Sequence, residues 1–226
     1  RQQIFEDLVI VAELEEGYLL TFLQSAKGRA IDFSSDGLIR DYTEKILTSK
    51  ASFSGAVQSF NDHLVNNKQS VDKTIKGIFV SDLDGKIIAA TNADEVGKDE
   101  SDDAYFRDIM GANLSYGTAY ISDVFVSYHF GTPDPVFLVA APIFSIDQKN
   151  KLGYIVIQIS LDEINKILSG EKTEELGAIS GVRGRRSTFD TYLINENNLL
   201  ITASIYENEG LLRQRVNSSL IDACRS

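Results

Sequence analysis

The stretch I-K-G-I-F-V-S-D-L-D-G-K-I-I-A-A, Ile75 to Ala90, decides the fold. Ile75–Ser81 is rich in β-branched and aromatic residues and reads as a strand, Asp82-Leu83-Asp84-Gly85 as a turn, and Lys86–Ala90 as the returning strand. Asp-Gly between two apolar runs is a strong hairpin signal, because such turns need positive φ. Downstream, Asp99–Gly111 reads as a loop running into a short helix. Ala119–Ser127 and Pro135–Phe144 read as strands joined by a polar turn at His129–Asp134. A turn at Asp147–Lys151 leads into the last strand, Gly153–Ser160, and a helix, Leu161–Leu168, whose Asp162 and Glu163 suit a helix N-terminus. Five strands linkable as hairpins or through one short helix predict an antiparallel sheet with helices on a face, an α+β unit.

Upstream of the hairpin the pattern is helical. Ile4, Leu8, Val11, Tyr18 and Phe22 recur at spacings of three, four and seven, and Leu19, Leu23, Ala26, Ala30 and Phe33 continue the stripe. A bend is expected near Gly28 or Ser34–Gly37, with Ser35 and Asp36 available to cap a fresh helix at Gly37–Leu47. A further helix spans about Ser54–Asn66. Beyond the sheet, Ser169–Gly184 is a polar link, and the hairpin pattern restarts: Thr191–Ile194, a turn at Asn195–Asn198, Leu199–Thr202, then a helix over about Glu209–Val216. This matches the opening of the first unit and predicts a repeat with a shortened second copy.

Composition narrows the function. In 226 residues, 33 Asp and Glu against 22 Lys and Arg give a net charge of -11. A nucleic-acid surface needs a basic patch to release counterions, so that class is excluded as a partner. The single cysteine, Cys224, allows no internal disulfide, and two histidines, His63 and His129, are too few for a His-rich metal site. No apolar run reaches the ~18 residues of a membrane span. The chain starts at Arg1 without a signal peptide, which reads as a piece excised from a longer protein.

Motifs for catalysis are missing. There is no G-x-S-x-G, H-E-x-x-H or Walker pattern. Asp82, Asp84 and Gly85 resemble part of a calcium loop, but the bidentate glutamate is absent and the hairpin turn explains them. His63 beside Asp62, and His129 in its turn, read as solvated surface. The expectation is a non-catalytic segment with no cofactor and no metal. Aromatics crowd one stretch: Tyr105, Phe106, Tyr116, Tyr120, Phe125, Tyr128, Phe130 and Phe137. Core packing and a small-molecule pocket explain them equally well, since phenols offer flat apolar area with a hydrogen-bonding tip.

These stretches together resemble the double Cache sensor domain, the tandem PAS-like modules of prokaryotic transmembrane receptors. The likeness is carried by I-K-G-I-F-V-S-D-L-D-G-K-I-I-A-A-T-N (Ile75–Asn92), V-G-K-D (Val96–Asp99), A-Y-F-R-D-I (Ala104–Ile109), Y-I-S-D-V (Tyr120–Val124), V-A-A-P-I (Val139–Ile143) and L-G-Y-I-V-I-Q-I-S-L-D-E-I (Leu152–Ile164). D-T-Y-L-I-N-E-N-N-L-L-I-T (Asp190–Thr202) and L-R-Q-R-V-N (Leu212–Asn217) carry it for the second module. The helix Lys27–Asp41 is most similar to those of sensor histidine kinases.

The resemblance implies residues 1–70 as a helical stalk and packing helix, 71–168 as a membrane-distal ligand-binding module, and 169–226 as a linker with the start of an incomplete membrane-proximal module. It implies the extracytoplasmic part of a membrane-anchored sensor histidine kinase in two-component signalling, or alternatively of a methyl-accepting chemotaxis receptor; a soluble enzyme or cytosolic PAS protein is the competing class. A homodimer through the N-terminal helix is implied in the parent. Family members that bind amino acids hold the carboxylate with an Arg and the amine with an Asp; the matching positions here are Asp103 and Gln158. A zwitterion buried without those partners loses its hydration uncompensated, so the expected ligand is small and polar but not an ordinary amino acid. The expected site is Tyr105, Arg107, Tyr120, Asp123, Phe125, Phe137 and Gln158.

Overall fold

The computed structural model describes residues 2–48, 53–130, 133–169, 191–202 and 211–216. The helices are α1 (Gln2–Ser35), α2 (Gly37–Thr48), α3 (Phe53–Asn67), α4 (Ala104–Gly111) and α5 (Asp162–Leu168). The strands are β1 (Ile75–Asp82), β2 (Ile87–Ala90), β3 (Tyr120–Ile121), β4 (Phe125–Ser127), β5 (Asp134–Phe144) and β6 (Lys151–Ser160). Every pairing is antiparallel, in the order β2-β1-β6-β5-β3, with β4 also on β5. The chain divides into two compact units, Leu23–Ser160 and a second that gathers the residues before and after it.

The helical break falls at Asp36. Its Oδ1 accepts the amides of Leu38 (2.8 Å) and Ile39 (3.2 Å), so two otherwise unpaired N–H groups at the start of α2 are satisfied. Asp36 also accepts from Lys68 Nζ at 2.7 Å, which joins that cap to the end of α3. Within the larger unit, Ala26, Ala30 and Phe33 of α1, Ile39 and Ile46 of α2, and Phe60 and Leu64 of α3 are buried. Of the stripe at the start of α1, Ile4 and Leu8 lie outside the described side chains. Val11 is buried and Tyr18 and Phe22 are half-buried, whereas the exposed apolar residues are Val9, Ile10 and Leu20.

The central hairpin forms as its sequence requires. Asp82 Oδ1 accepts the amides of Asp84 and Lys86, and Gly85 takes φ +95°. A side chain at Gly85 would also strike the Ser101 backbone. Strand alternation then sorts the sheet into two faces. Directly opposed residues share a face, so Gly77, Gln158 and Leu138 form one row and Phe79, Val156 and Ala140 the next. Ile155, Ile157 and Ile159 point the other way and are equally buried. Because both sides are covered, β6 reads as a continuous apolar run rather than an alternating one. Arg40 of α2 secures the β5–β6 turn by donating to the carbonyls of Phe144 and Ser145.

The expected strand Ala119–Ser127 is two short ones. At Ser122 the side chain enters the ladder: Ser122 Oγ accepts from Leu138 N at 2.9 Å while Ser122 N donates to Leu138 O. A hydroxyl competing with backbone in this way interrupts a strand.

In the smaller unit, the restarted hairpin pattern gives a turn with isolated bridges, Ile194 to Leu200 and Leu199 to Arg215. The helix expected over Glu209–Val216 is not formed in its described part, 211–216. Leu200 N donates to Gln214 O and Val216 N to Asn198 O, so these residues lie beside the hairpin. The link Ser169–Gly184 lies outside the described residues apart from Ser169, as does Cys224.

Candidate functional site

The segment between β2 and α4 builds one wall of the site. After β2, Asn92 Oδ1 accepts from Asp94 N and starts a single helical turn at Ala93–Glu95. The chain then doubles back beside β2: Gly97 N donates to Ile87 O, Ile87 N to Lys98 O, and Glu100 N to Gly85 O. This places Glu95 and Glu100 at the two ends of one short backbone run. Next comes α4, whose Tyr105, Phe106 and Ile109 lie at i, i+1 and i+4 and pack on Phe79, Leu138, Tyr154 and Val156 of the sheet.

The opposite wall is the loop leaving β4. His129 reaches back 34 residues in sequence to place Nδ1 2.6 Å from Glu95 Oε2, and its Nε2 lies 3.2 Å from Glu100 Oε2. Both carboxylate side chains are only 4% exposed. With an acceptor at each ring nitrogen, the imidazole is held as the doubly protonated cation. Hydrogen bonding to Glu100, partly offset by burial and reinforced by Glu95, raises its pKa from 6.5 to about 9. Burial pushes Glu100 up, but the bonds from His129 and Tyr105 outweigh it and bring the carboxyl to about 2. Burial likewise opposes ionisation of Glu95, while Lys98 and His129 hold it below its usual value. Asp103, the residue immediately before α4, is raised by burial and then by its neighbour Glu100.

Around this ion-paired centre are flat apolar surfaces. The Tyr105 hydroxyl donates to Glu100 Oε2 at 2.6 Å, and its ring stacks on Phe125 with centroids 5.8 Å apart. The His129 ring lies 6.0 Å from Phe79 and 6.2 Å from Phe130. Phe130 sits over Gly77, where a Cβ would come within 2.6 Å of its ring. Ser127 Oγ donates to Gln158 Oε1 at 3.1 Å and accepts from His129 N at 3.1 Å, so the loop is fastened to β6.

Of the expected site residues, the structure brings together Tyr105, Phe125 and Gln158. Tyr120 packs against the same apolar cluster, its hydroxyl 3.5 Å from Asp108 Oδ2. Three lie elsewhere. Arg107 is exposed and donates to the Asp102 carbonyl, because its place on α4 is opposite the apolar face. Asp123 is exposed and caps the amide of Val124 in the break between β3 and β4. Phe137 is buried opposite Ile159, one residue out of phase with Gln158, and so faces away. The residue missed is His129, expected at the surface; the polar turn around it gives no local sign of partners that come from β2–α4. Among the described residues, no group of three or more His, Cys, Asp or Glu is arranged to hold a metal ion.

No protein-family model matches the chain, and no curated protein sequence matches it. Solved structures do. The sensor domain of the V. cholerae histidine kinase DctB is similar with a TM-score of 0.68 and 13% identity, over 99% of this chain and 75% of that one. The sensory domain of the Campylobacter jejuni chemoreceptor Tlp3 with isoleucine bound has a TM-score of 0.63 at 9% identity, over 99% and 79%. The ligand-binding domain of the Pseudomonas aeruginosa PAO1 chemoreceptor PctC in complex with GABA has 0.53 at 14%, over 91% and 76%. At such identities the fold is what is shared: this chain has the α+β, Cache-like fold of receptor sensor domains, a long N-terminal helix with an antiparallel sheet.

Proposed function

We propose that this chain is the extracytoplasmic, non-catalytic ligand-sensing part of a membrane-anchored sensor histidine kinase. The observation that carries the reading is the sheet face beneath α4, where Tyr105, Phe125, Ser127, His129 and Gln158 converge from four parts of the chain. Aromatic walls with a few placed polar groups are what a small-molecule site needs. The likeness to the DctB sensor domain supports the kinase assignment, and the likeness to Tlp3 and PctC supports a chemoreceptor as the second reading.

In this reading residues 71–168 are the membrane-distal sensing module, residues 1–70 the stalk with its packing helix, and residues 169–226 a linker and the start of a membrane-proximal PAS-like module. The parent dimerises through α1, on which Val9, Ile10 and Leu20 are exposed. The ligand is small and polar, and not an ordinary amino acid, because Asp103 stands where the ligand carboxylate would need a cation and the neutral Gln158 where its ammonium would need an anion. A thermal-shift screen of organic acids, amines, purines and sugars tests the core of the proposal. A ligand that binds only the folded state raises the melting temperature, and Gln158→Leu should abolish the shift. A screen in which no class shifts the wild-type protein overturns the sensing assignment.

A further inference from the structure

We infer that His129 is a built-in occupant of the ligand face, and that the ligand replacing it is an organic cation, a protonated amine on a small apolar body. This rests on the sensing reading above and names the ligand class for that site.

A cation already sits there. The His129 imidazole lies between Glu95 and Glu100 with one ring nitrogen on each, and Phe79 and Phe130 flank it. Carboxylates combined with aromatic faces are the surroundings that suit an ammonium group, through charge-assisted hydrogen bonds and cation–π attraction.

The cradle does not depend on the histidine for its shape. Glu100 is held by the Tyr105 hydroxyl at 2.6 Å and by its own amide on Gly85 O. Glu95 is held by Lys98 Nζ at 2.8 Å and by its amide on Asn92 O. If the imidazole leaves, Glu95 keeps Lys98 but the buried Glu100 loses its ion-pair partner and needs a replacement cation, since removing one partner of a buried pair is far costlier than exchanging it. The His129 backbone is fastened through Ser127, so the exchange asks only that the imidazole side chain rotate out of the cradle. The next residue, Phe130, takes φ 60°, an uncommon conformation for a bulky side chain.

The same geometry disfavours an amino acid. A ligand carboxylate here would face Glu95, Glu100 and Asp103. The nearby cations are engaged, Lys98 with Glu95 and Arg107 with the Asp102 carbonyl on an exposed surface. The matching ligand carries positive charge without a carboxylate. Its measured affinity is lowered by competition from the tethered imidazole, in proportion to the fraction of molecules with the cradle open.

Calorimetric titration of the 226-residue chain with butylammonium tests this, with butanol as the neutral isostere and isoleucine as the zwitterion. His129→Gln should bind butylammonium at least about tenfold more tightly than wild type, as removal of a competing state requires. Glu100→Gln should lose the preference for butylammonium over butanol. In the wild-type protein, saturating butylammonium should shift the 15N signals of the His129 ring toward those of a solvent-exposed imidazole, a readout independent of whether either variant folds. Equal affinity of folded His129→Gln and wild type, an unmoved ring signal at saturation, or butanol binding as well as butylammonium each overturns the proposal. If butylammonium binds neither protein while another class in the thermal screen binds the wild type, the cation assignment fails and the sensing reading stands; if nothing binds, both fail.

Discussion

Tyr105 and His129 converge on a single oxygen, Glu100 Oε2, the hydroxyl at 2.6 Å and the imidazole Nε2 at 3.2 Å. One comes from α4 and the other from the loop after β4, so a single buried carboxylate ties the two sides of the sheet face together. The strength of the arrangement lies in its charge. An anionic acceptor makes each bond stronger than a neutral one would be, and the same anion would be costly to leave alone.

Loss of the imidazole should therefore destabilise the fold. His129→Ala is expected to cost on the order of 2–3 kcal/mol, below the full penalty for breaking a buried pair because the His129 side chain keeps 19% exposure. His129→Gln should cost less, since an amide can still donate to one carboxylate. Urea unfolding of the two variants measures this, and a loss for His129→Ala within about 0.5 kcal/mol would sink the idea.

Stability should depend on pH on both sides of a plateau. The pKa of His129 is raised from 6.5 to about 9, so its contribution is complete below pH 6.5 and is lost as pH rises through about 9. That of Glu100 is lowered from 4.5 to about 2, so its contribution is complete above pH 4.5 and is lost as pH falls through about 2. The two describe the same pair and are counted once. Melting temperatures should be flat between the ordinary values and fall on either side. In His129→Gln the alkaline fall between pH 6.5 and 9 should shrink, and an unaltered fall would assign it to other groups.

Gly77 should be intolerant of a methyl group for a reason outside its own strand. A Cβ there meets the Phe130 ring at 2.6 Å. Gly77→Ala is expected to lose about 1–3 kcal/mol, the usual penalty for overpacking. Adding Phe130→Ala should recover part of that loss. A double-mutant cycle reads the coupling, and strictly additive losses would show that the ring does not rest on Gly77.

The cap at α2 offers a test far from the ligand face. Asp36→Ala removes the acceptor for Leu38 N and Ile39 N and the partner of Lys68, and should cost about 1–2 kcal/mol. Asp36→Asn keeps an acceptor and loses only the charge pairing, so its loss should be smaller. Equal losses in thermal unfolding would make the Lys68 pair, rather than the cap, the source of the effect.

Much of this molecule could be read in order along the chain. Asp82–Gly85 specifies a hairpin because the Asp82 side chain and the left-handed Gly85 are local requirements of the turn. The long apolar runs of β5 and β6, the helical stripe of Ala26, Ala30 and Phe33, and the capping Asp36 are equally local, since period and cap chemistry need no distant partner. Antiparallel pairing of β1 with β2 and of β5 with β6 followed from short connections, whereas the pairing of β1 with β6 joins segments distant in the chain. Where a competing side chain entered the ladder, at Ser122, the reading of one continuous strand failed.

The ligand face was a different kind of problem. Whether Phe137 or Leu138 shares a face with Gln158 depends on the β5–β6 register, and a shift of one residue reverses the answer. The character of His129 depends on Glu95 and Glu100, brought beside it by the backbone that doubles back along β2. Side-chain type and spacing are properties of the chain and so determine helices, strands and turns. Burial and charge pairing are properties of the space between distant segments, and only the folded sheet, with α4 and the His129 loop laid on one face, could turn a polar turn residue into a half-buried, ion-paired cation.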